Sequence, residues 1–177
     1  MTAIVDGSLG FTAPVGAVYN GLQTGTAVAS TSGTSITFTG IPSWVKRITV
    51  MFNGVQTSGT PQILVQIGSG STTTTGYLSY FGFYQAVGNV STASATNGFG
   101  VWNNGSTCLH YNHIVLTPVS GNTWLASHNG AFYNGTNVFP NSGGGNVTLS
   151  GTLDRVVITT TTGTDTFTAG SINIIYE

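Results

Sequence analysis

The sequence predicts an all-β protein, an antiparallel β-sandwich of the jelly-roll type, and three observations lead to this fold class. Only 4% of the 177 residues are charged and 26 are glycine, so strong helix formers are scarce. Apolar and polar residues alternate with a period of two along much of the chain. Gly- and Asn-rich turns divide it into roughly nine or ten short strands. A closed barrel is the alternative architecture.

Strands in the first part of the chain show the clearest alternation. In "ITFTGIPSWVKRITVMFNGV" and "QILVQIG" every second residue along the predicted strand is apolar, and these residues predict the buried face. Gln62 and Gln66 fall on the opposite face. The predicted inward residues are Ile48, Val50, Phe52, Ile63, Val65 and Ile67. Turns are predicted at Asn53-Gly54, Gly68 to Ser71, Asn103 to Gly105 and Asn141 to Gly145.

The end of the chain repeats this pattern, and its beginning lacks it. "VTLSG", "RVVITTTT" and "SINIIYE" alternate cleanly, and in the last of them Ile172, Ile174 and Tyr176 share one face. Residues 1–30 are rich in Gly, Ala and Thr without a clear period. We therefore expect an N-terminal arm or stalk-connecting segment over 1–30 and one β-sandwich head domain over 31–177.

The few charged residues cluster where strands begin or end. Lys46 and Arg47 precede one alternating segment, Asp154 and Arg155 precede another, and Glu177 ends the sequence. Long cationic side chains can pack their stems at the rim of a core while their charged groups reach water. We expect these five residues to act as structural charges that pair with one another; the alternative is that they are separate solubilising charges.

The segment from residue 76 to residue 141 contains twelve of the nineteen aromatic residues and all three histidines. In "GYLSYFGFY", Tyr77, Phe81 and Phe83 share one face, and Tyr80 and Tyr84 share the other. Aromatic rings beside amides and imidazoles suit sugars, because C–H groups stack on rings and hydroxyls form hydrogen bonds. Filling of the core is the alternative role for these rings. The predicted receptor contacts are Tyr80, Tyr84, Trp102, His110, His128 and Tyr133.

Several functions are disfavoured by composition. A net charge of −1 gives no basic surface for nucleic acid, and no apolar stretch is long enough to insert into a membrane. Only four carboxylates occur and no nucleophile motif is present, so we expect no enzyme activity. In "HYNH", His110 and His113 point to opposite faces of a strand, so neither a metal nor another cofactor is expected. The single Cys108 is expected in the core.

Two parts of the chain resemble a known protein family. "SGTSITFTGIPSWVKRITVMFNGVQTSGTPQILVQIGSG", followed by "TTTTGYLS", and the ending "DTFTAGSINIIYE" resemble the C-terminal domains of tail fibre proteins of tailed bacteriophages. The phrases "GIPSWVKRITVMF" and "AGSINIIYE" are the most characteristic. The middle segment matches less well. The sequence lacks a long repetitive shaft and the "HxH" iron-binding repeats of some fibres, so the resemblance brings no metal.

The resemblance implies a virion protein at the distal, extracellular end of a tail fibre. Its expected partners are two further copies of itself in a homotrimer, other tail proteins on its N-terminal side, and a bacterial surface receptor, often a polysaccharide. The expected function is host attachment by carbohydrate binding without catalysis. The alternatives are a purely structural trimerisation or fibre-capping domain and a capsule depolymerase. Unpaired edges of nearly uncharged sheets also favour self-association.

Overall fold

In the computed structural model of the protein, the backbone is described for residues 4–6, 10–12, 21–85, 88 and 90–177, and side chains are described from residue 21 onward. All regular structure in these ranges is β-strand. The strands are β1 (Ile4–Asp6), β2 (Gly10–Thr12), β3 (Gln23–Thr24), β4 (Val28–Ala29), β5 (Ile36–Thr39), β6 (Ile48–Thr57), β7 (Ile63–Ser69), β8 (Ser71–Thr72), β9 (Leu78–Tyr84), β10 (Val90–Ala95), β11 (Phe99–Val101), β12 (Leu109–Ser120), β13 (Thr123–Tyr133), β14 (Val138–Thr148), β15 (Arg155–Thr160) and β16 (Phe167–Tyr176).

Two antiparallel sheets form a sandwich, as the sequence predicted. The large sheet has nine strands in the order β10-β9-β14-β13-β12-β6-β16-β3, and β4 also pairs with β16. The small sheet has five strands in the order β11-β7-β15-β5, with β8 beside β7. Strands β1 and β2 form a separate antiparallel hairpin. Of the predicted segment 1–30, the short strands β3 and β4 pair with β16 and so add to the large sheet.

The core between the sheets follows the predicted parity. Ile48, Val50 and Phe52 of β6 are at most 4% exposed, and they pack in one cluster with inward residues of the small sheet. The small-sheet residues of this cluster include Ile63, Val65, Ile67, Val156 and Ile158. Each such side chain contributes about 1.5–3 kcal/mol when it leaves water, so this cluster supplies the main stabilisation of a chain without disulfides. Cys108 is free and buried, as expected.

Two predicted turns are instead strand interior. Asn53 and Gly54 lie within β6, where Gly54 has φ +65° and is skipped between the pairs His110–Val55 and Tyr111–Asn53. This is a β-bulge, in which an extra residue with positive φ interrupts the ladder without ending the strand. The segment from Asn141 to Gly145 lies in the middle of β14, paired on both sides. Of the predicted turn from Gly68 to Ser71, only Gly70 lies between strands, where it joins β7 to β8, whereas Asn103 to Gly105 all lie between β11 and β12.

Strand β7 departs from the expected alternation because both of its faces are covered. Gln66, predicted to face outward, is only 7% exposed, and its Nε2 donates a hydrogen bond to Asn97 O at 2.6 Å. The adjacent Leu64 packs with Phe81 of β9 and Ala95 of β10. The β9–β10 end of the large sheet therefore curls around this strand.

A buried tyrosine fixes the start of β9. Tyr77 is 1% exposed, and its Oη accepts a hydrogen bond from Ile67 N at 2.8 Å and donates to Thr73 O at 3.1 Å. Burial raises the pKa of its hydroxyl to about 12, although the Ile67 backbone group acts in the opposite direction. This anchor ties β9, which carries the candidate site, to the small sheet.

Candidate functional site

Strand β9 has one buried and one exposed aromatic face. Phe81 and Phe83 are 4% and 2% exposed, whereas Tyr80 and Tyr84 are 65% and 51% exposed. This confirms the predicted division of the segment into two aromatic faces. The outer face is open to solvent in the described part of the chain, so both tyrosine rings are available for contact.

The exposed tyrosines border an open groove of about 640 Å³ on the outer face of the large sheet. It is formed by β9 and its two neighbours, β10 and β14. Its lining residues are Tyr80, Phe81, Gly82, Tyr84, Val90, Thr92, Ala93, Ser94, Ser142 and Gly143. The groove therefore combines two aromatic rings with a row of small residues and hydroxyl groups.

Gly82 forms the floor between the two tyrosines. It pairs with Thr92 on one side and with Ser142 on the other, so a hydroxyl side chain flanks the floor on each side. A Cβ at this position would collide with Ser91 O and lie 3.2 Å from Thr92 Cγ2. Glycine at 82 thus permits the close approach of β10 and keeps the floor flat.

Tyrosine hydroxyls and strand hydroxyls meet along the groove. Tyr84 Oη lies 3.3 Å from Ser142 Oγ, and either atom can donate. On the other side of the floor, Ser94 pairs with Tyr80 in the β9–β10 ladder. Hydroxyl groups both donate and accept hydrogen bonds, so this surface can match a ligand that presents many hydroxyls.

None of the ten lining residues is charged. Arg47 and Glu177 lie beside β6 and β16, and β6 is four strand steps from β9 in the sheet order. At about 4.8 Å per strand, this separation is roughly 19 Å, more than twice the Debye length in physiological salt. Asp154 and Arg155 belong to the other sheet. The lining of the groove is therefore uncharged.

Tyr133, another predicted contact, lies on the same outer face but outside this groove. It is 38% exposed on β13, pairs with Val138 of β14, and donates a hydrogen bond from its Oη to Gly135 O at 2.7 Å. Tyr111 and Leu125 are exposed on the same face of β12 and β13. The outer face thus continues as an apolar, uncharged surface beyond the groove.

Three predicted contacts lie on the inner face and do not line the groove. His110 and His128 are 0% and 7% exposed, and Trp102 packs between Phe81 and Phe83 with its Nε1 buried. The burial of His110 and His128 corrects their predicted role as surface contacts, and Trp102 is half-buried. Alternation sends them inward: His110 and His128 have the parity of the core residues Ile114 and Ala126 on their own strands.

These inner residues belong to a cluster of polar groups that are incompletely paired. Asn112 Nδ2 donates to Asn141 Oδ1 at 3.0 Å. Among the described side chains, the buried polar atoms without a hydrogen-bond partner are Trp102 Nε1, His110 Nδ1, Asn112 Oδ1, His128 Nε2 and Asn141 Nδ2. Unpaired buried groups are costly, so this inner face is less stable than a fully apolar one would be.

The tautomer of His110 follows from its partner. Asn103 Nδ2 donates to Thr57 Oγ1, Gly59 O and Pro61 O, so its Oδ1 is the acceptor that faces His110 Nε2 at 3.1 Å. His110 therefore carries its proton on Nε2. Burial lowers the pKa of both His110 and His128 to about 4, so both rings are neutral at physiological pH.

Four of the five predicted structural charges form two ion pairs, one exposed and one half-buried. Arg47 Nη1 lies 3.0 Å from Glu177 Oε1, and Arg155 Nε lies 2.8 Å from Asp154 Oδ1. The hydrogen bond from Arg155, followed by one from Gly70 N, lowers the pKa of the Asp154 carboxyl. Lys46 is exposed and lines a small cleft of about 110 Å³ with Ser43 and Trp124. All five charged residues lie at or next to strand ends, and none of them lines the groove.

Sequence reasoning missed the hydroxyl side of the groove. Thr92, Ser94 and Ser142 come from two segments rich in small residues, and no local signal marks them as ligand contacts. They matter because strand pairing places them beside the tyrosines of β9. A predicted pairing of β9 with both segments would have identified them.

Within the described ranges, no three His, Cys, Asp or Glu side chains gather into a potential metal site. The same ranges contain no helix with the length and apolar character needed to cross a bilayer. The chain matches no protein-family model, and the comparisons with curated proteins and with solved structures find no similar protein.

Proposed function

We propose that this chain is the distal domain of a bacteriophage tail fibre and attaches the virion to a host by binding a surface polysaccharide without cleaving it. The observation that carries the proposal is the groove with Tyr80 and Tyr84 exposed on either side of Gly82. A contiguous exposed surface that contains aromatic rings is typical of a site that contacts a ligand or partner. The resemblance of the first strands and of the final strand to tail fibre domains supplies the biological setting.

A homotrimer is part of this proposal. Among the strands that the structure describes, β10 pairs only with β9, and its sequence "VSTASA" contains no charge and no proline to protect the free edge. Such an edge is prone to pair with other chains unless an oligomer covers it. Sedimentation of the purified chain is expected to give a particle three times the 18.2 kDa of one copy. A stable monomer would remove the trimer from the proposal.

Attachment is tested by incubating the labelled full chain with whole bacteria and with a panel of purified bacterial surface polysaccharides. Saturable binding to at least one polysaccharide, competed by the unlabelled chain, is expected. The same polysaccharide should keep its number of reducing ends, because binding without cleavage releases none. Absence of binding to all of the bacteria and to every polysaccharide of the panel would contradict the proposal.

A structural capping function is the second candidate, and the wider outer face favours it. Tyr111, Leu125, Tyr133 and Val138 are exposed there without any charged neighbour in the strand pairs. Contact with another copy would bury these side chains, in which case no open groove would exist in the assembly. Solvent protection of this face in the oligomer, measured by hydrogen exchange or surface labelling, distinguishes this function from attachment.

A further inference from the structure

We infer that the groove along β9 selects an uncharged oligosaccharide that is long enough to stack on Tyr80 and Tyr84 together. This inference rests on the proposed attachment function and specifies its ligand. It concerns three properties of the ligand: its length, its charge and its hydroxyl-rich faces.

Length follows from the strand geometry. Tyr80 and Tyr84 are four residues apart on one extended strand and point to the same side. At about 3.3 Å per residue their Cα atoms are roughly 13 Å apart, which exceeds the width of a single sugar ring. A monosaccharide can therefore cover only one tyrosine, and a chain of linked sugars that runs parallel to β9 covers both.

Charge follows from the lining. No lining residue carries a positive charge that could pair with a carboxylate, sulfate or phosphate, and the Arg47–Glu177 pair lies beyond the range of screened electrostatics. An acidic sugar would lose part of its hydration in the groove and gain no cation in return. A neutral sugar avoids this penalty, so the groove favours uncharged chains.

The polar contacts follow from the side chains that flank the floor. Thr92 and Ser142 lie on either side of Gly82, and Ser94 lies beside Tyr80. These hydroxyls can hydrogen-bond the ring hydroxyls while the C–H face of each sugar rests on a tyrosine.

The test is titration of the full chain with neutral oligosaccharides of increasing length and with acidic oligosaccharides of equal length. Affinity is expected to rise sharply once the neutral chain spans both tyrosines, and to change less than about twofold between low and high salt. Preference for the acidic series, with affinity that falls as salt rises, would overturn the inference about charge. Equal affinity for monosaccharide and oligosaccharide would overturn the inference about length.

Substitution of the two exposed tyrosines tests whether the oligosaccharide binds in this groove. Tyr80→Ala and Tyr84→Ala are each expected to weaken oligosaccharide binding about tenfold, and monosaccharide binding far less. Tyr111→Ala is the matched control, because Tyr111 is 48% exposed on the same face but lies three strands from β9. A control variant that weakens binding as much as the two groove variants would place the ligand elsewhere.

Particle mass is measured for every variant to separate ligand contact from subunit contact. If Tyr80→Ala or Tyr84→Ala dissociates the oligomer, the groove is a contact between copies and the inference is wrong. If host polysaccharide binding persists unchanged in both variants, the inference fails while the attachment function stands. If the unaltered chain binds no polysaccharide at all, the attachment function itself fails.

Discussion

The two faces of the β9, β13 and β14 region are built from similar residue types but have opposite properties. On the outer face, tyrosines stand exposed over a floor of glycine and hydroxyl residues. On the inner face, histidine and asparagine are buried, Trp102 is half-buried, and several of their polar atoms are unpaired. Aromatic and amide residues therefore do not by themselves identify a binding surface in this protein; their parity along a strand does.

The largest contrast is expected between the adjacent residues Phe83 and Tyr84. Phe83 is 2% exposed among Cys108, Phe132 and Trp102, so Phe83→Ala is expected to lower the free energy of unfolding by about 3–5 kcal/mol. Tyr84 is 51% exposed, so Tyr84→Ala should change it by less than about 0.5 kcal/mol. Denaturant unfolding of both variants measures the difference. Equal losses would show that the outer face is also core, for example at a subunit contact.

Acidification is expected to destabilise the fold by protonating the two buried histidines of the inner face. The pKa values of His110 and His128 fall to about 4 on folding from an ordinary value of 6.5, so the unfolded chain binds more protons between these limits. Stability is therefore complete above pH 6.5 and decreases as the pH falls towards 4, by about 3 kcal/mol for each histidine.

The control for this pH dependence is His128→Phe, which removes one titrating ring and its unpaired Nε2. The variant should lose stability with pH at about half the slope of the unaltered chain over the same interval. Unfolding midpoints measured in denaturant across the pH range give both slopes. An unchanged slope in the variant would mean that His128 is accessible to protons in the folded state.

The same substitution at two adjacent glycines of β14 compares how the inner and outer faces of the large sheet contribute to stability. At Gly143 a Cβ would collide with His128 Cε1 and lie 2.6 Å from Phe81 Cβ, so Gly143→Ala should destabilise the fold by about 2 kcal/mol. At Gly144 the nearest atom to a Cβ is Ala126 O at 3.0 Å, and the loss should be less than half as large. Thermal or denaturant unfolding measures both. A larger loss at Gly144 would contradict the assignment of the two faces.

The smallest expected effect concerns the Asn112–Asn141 pair. Either Asn112→Leu or Asn141→Leu leaves the other amide without its partner and should lower stability by about 1.5 kcal/mol. The double variant removes both polar groups and should lose less than the sum of the single losses. Additive losses in this double-mutant cycle would show that the two amides are satisfied independently.

The period of two was sufficient to predict much of the fold. It indicated an all-β chain, the inward residues of β6 and β16, the burial of Cys108 and the opposite directions of Phe81 and Tyr80. It failed at Asn53-Gly54 and at Asn141 to Gly145, where typical turn residues lie inside long strands. Both segments have paired strands on each side, and this pairing outweighs local turn preference.

The local sequence determined which side chains share a face of each strand, because successive residues of an extended chain must point to opposite sides. Which side became interior was decided only when distant strands paired. The neighbours of β9 come from residues 90–95 and 138–148, and the cover over Gln66 comes from Asn97. Apart from β10, which directly follows β9, these partners are far apart in the chain, and a local pattern carries no information about them. The hydroxyls that flank the groove therefore belong to the tertiary structure alone.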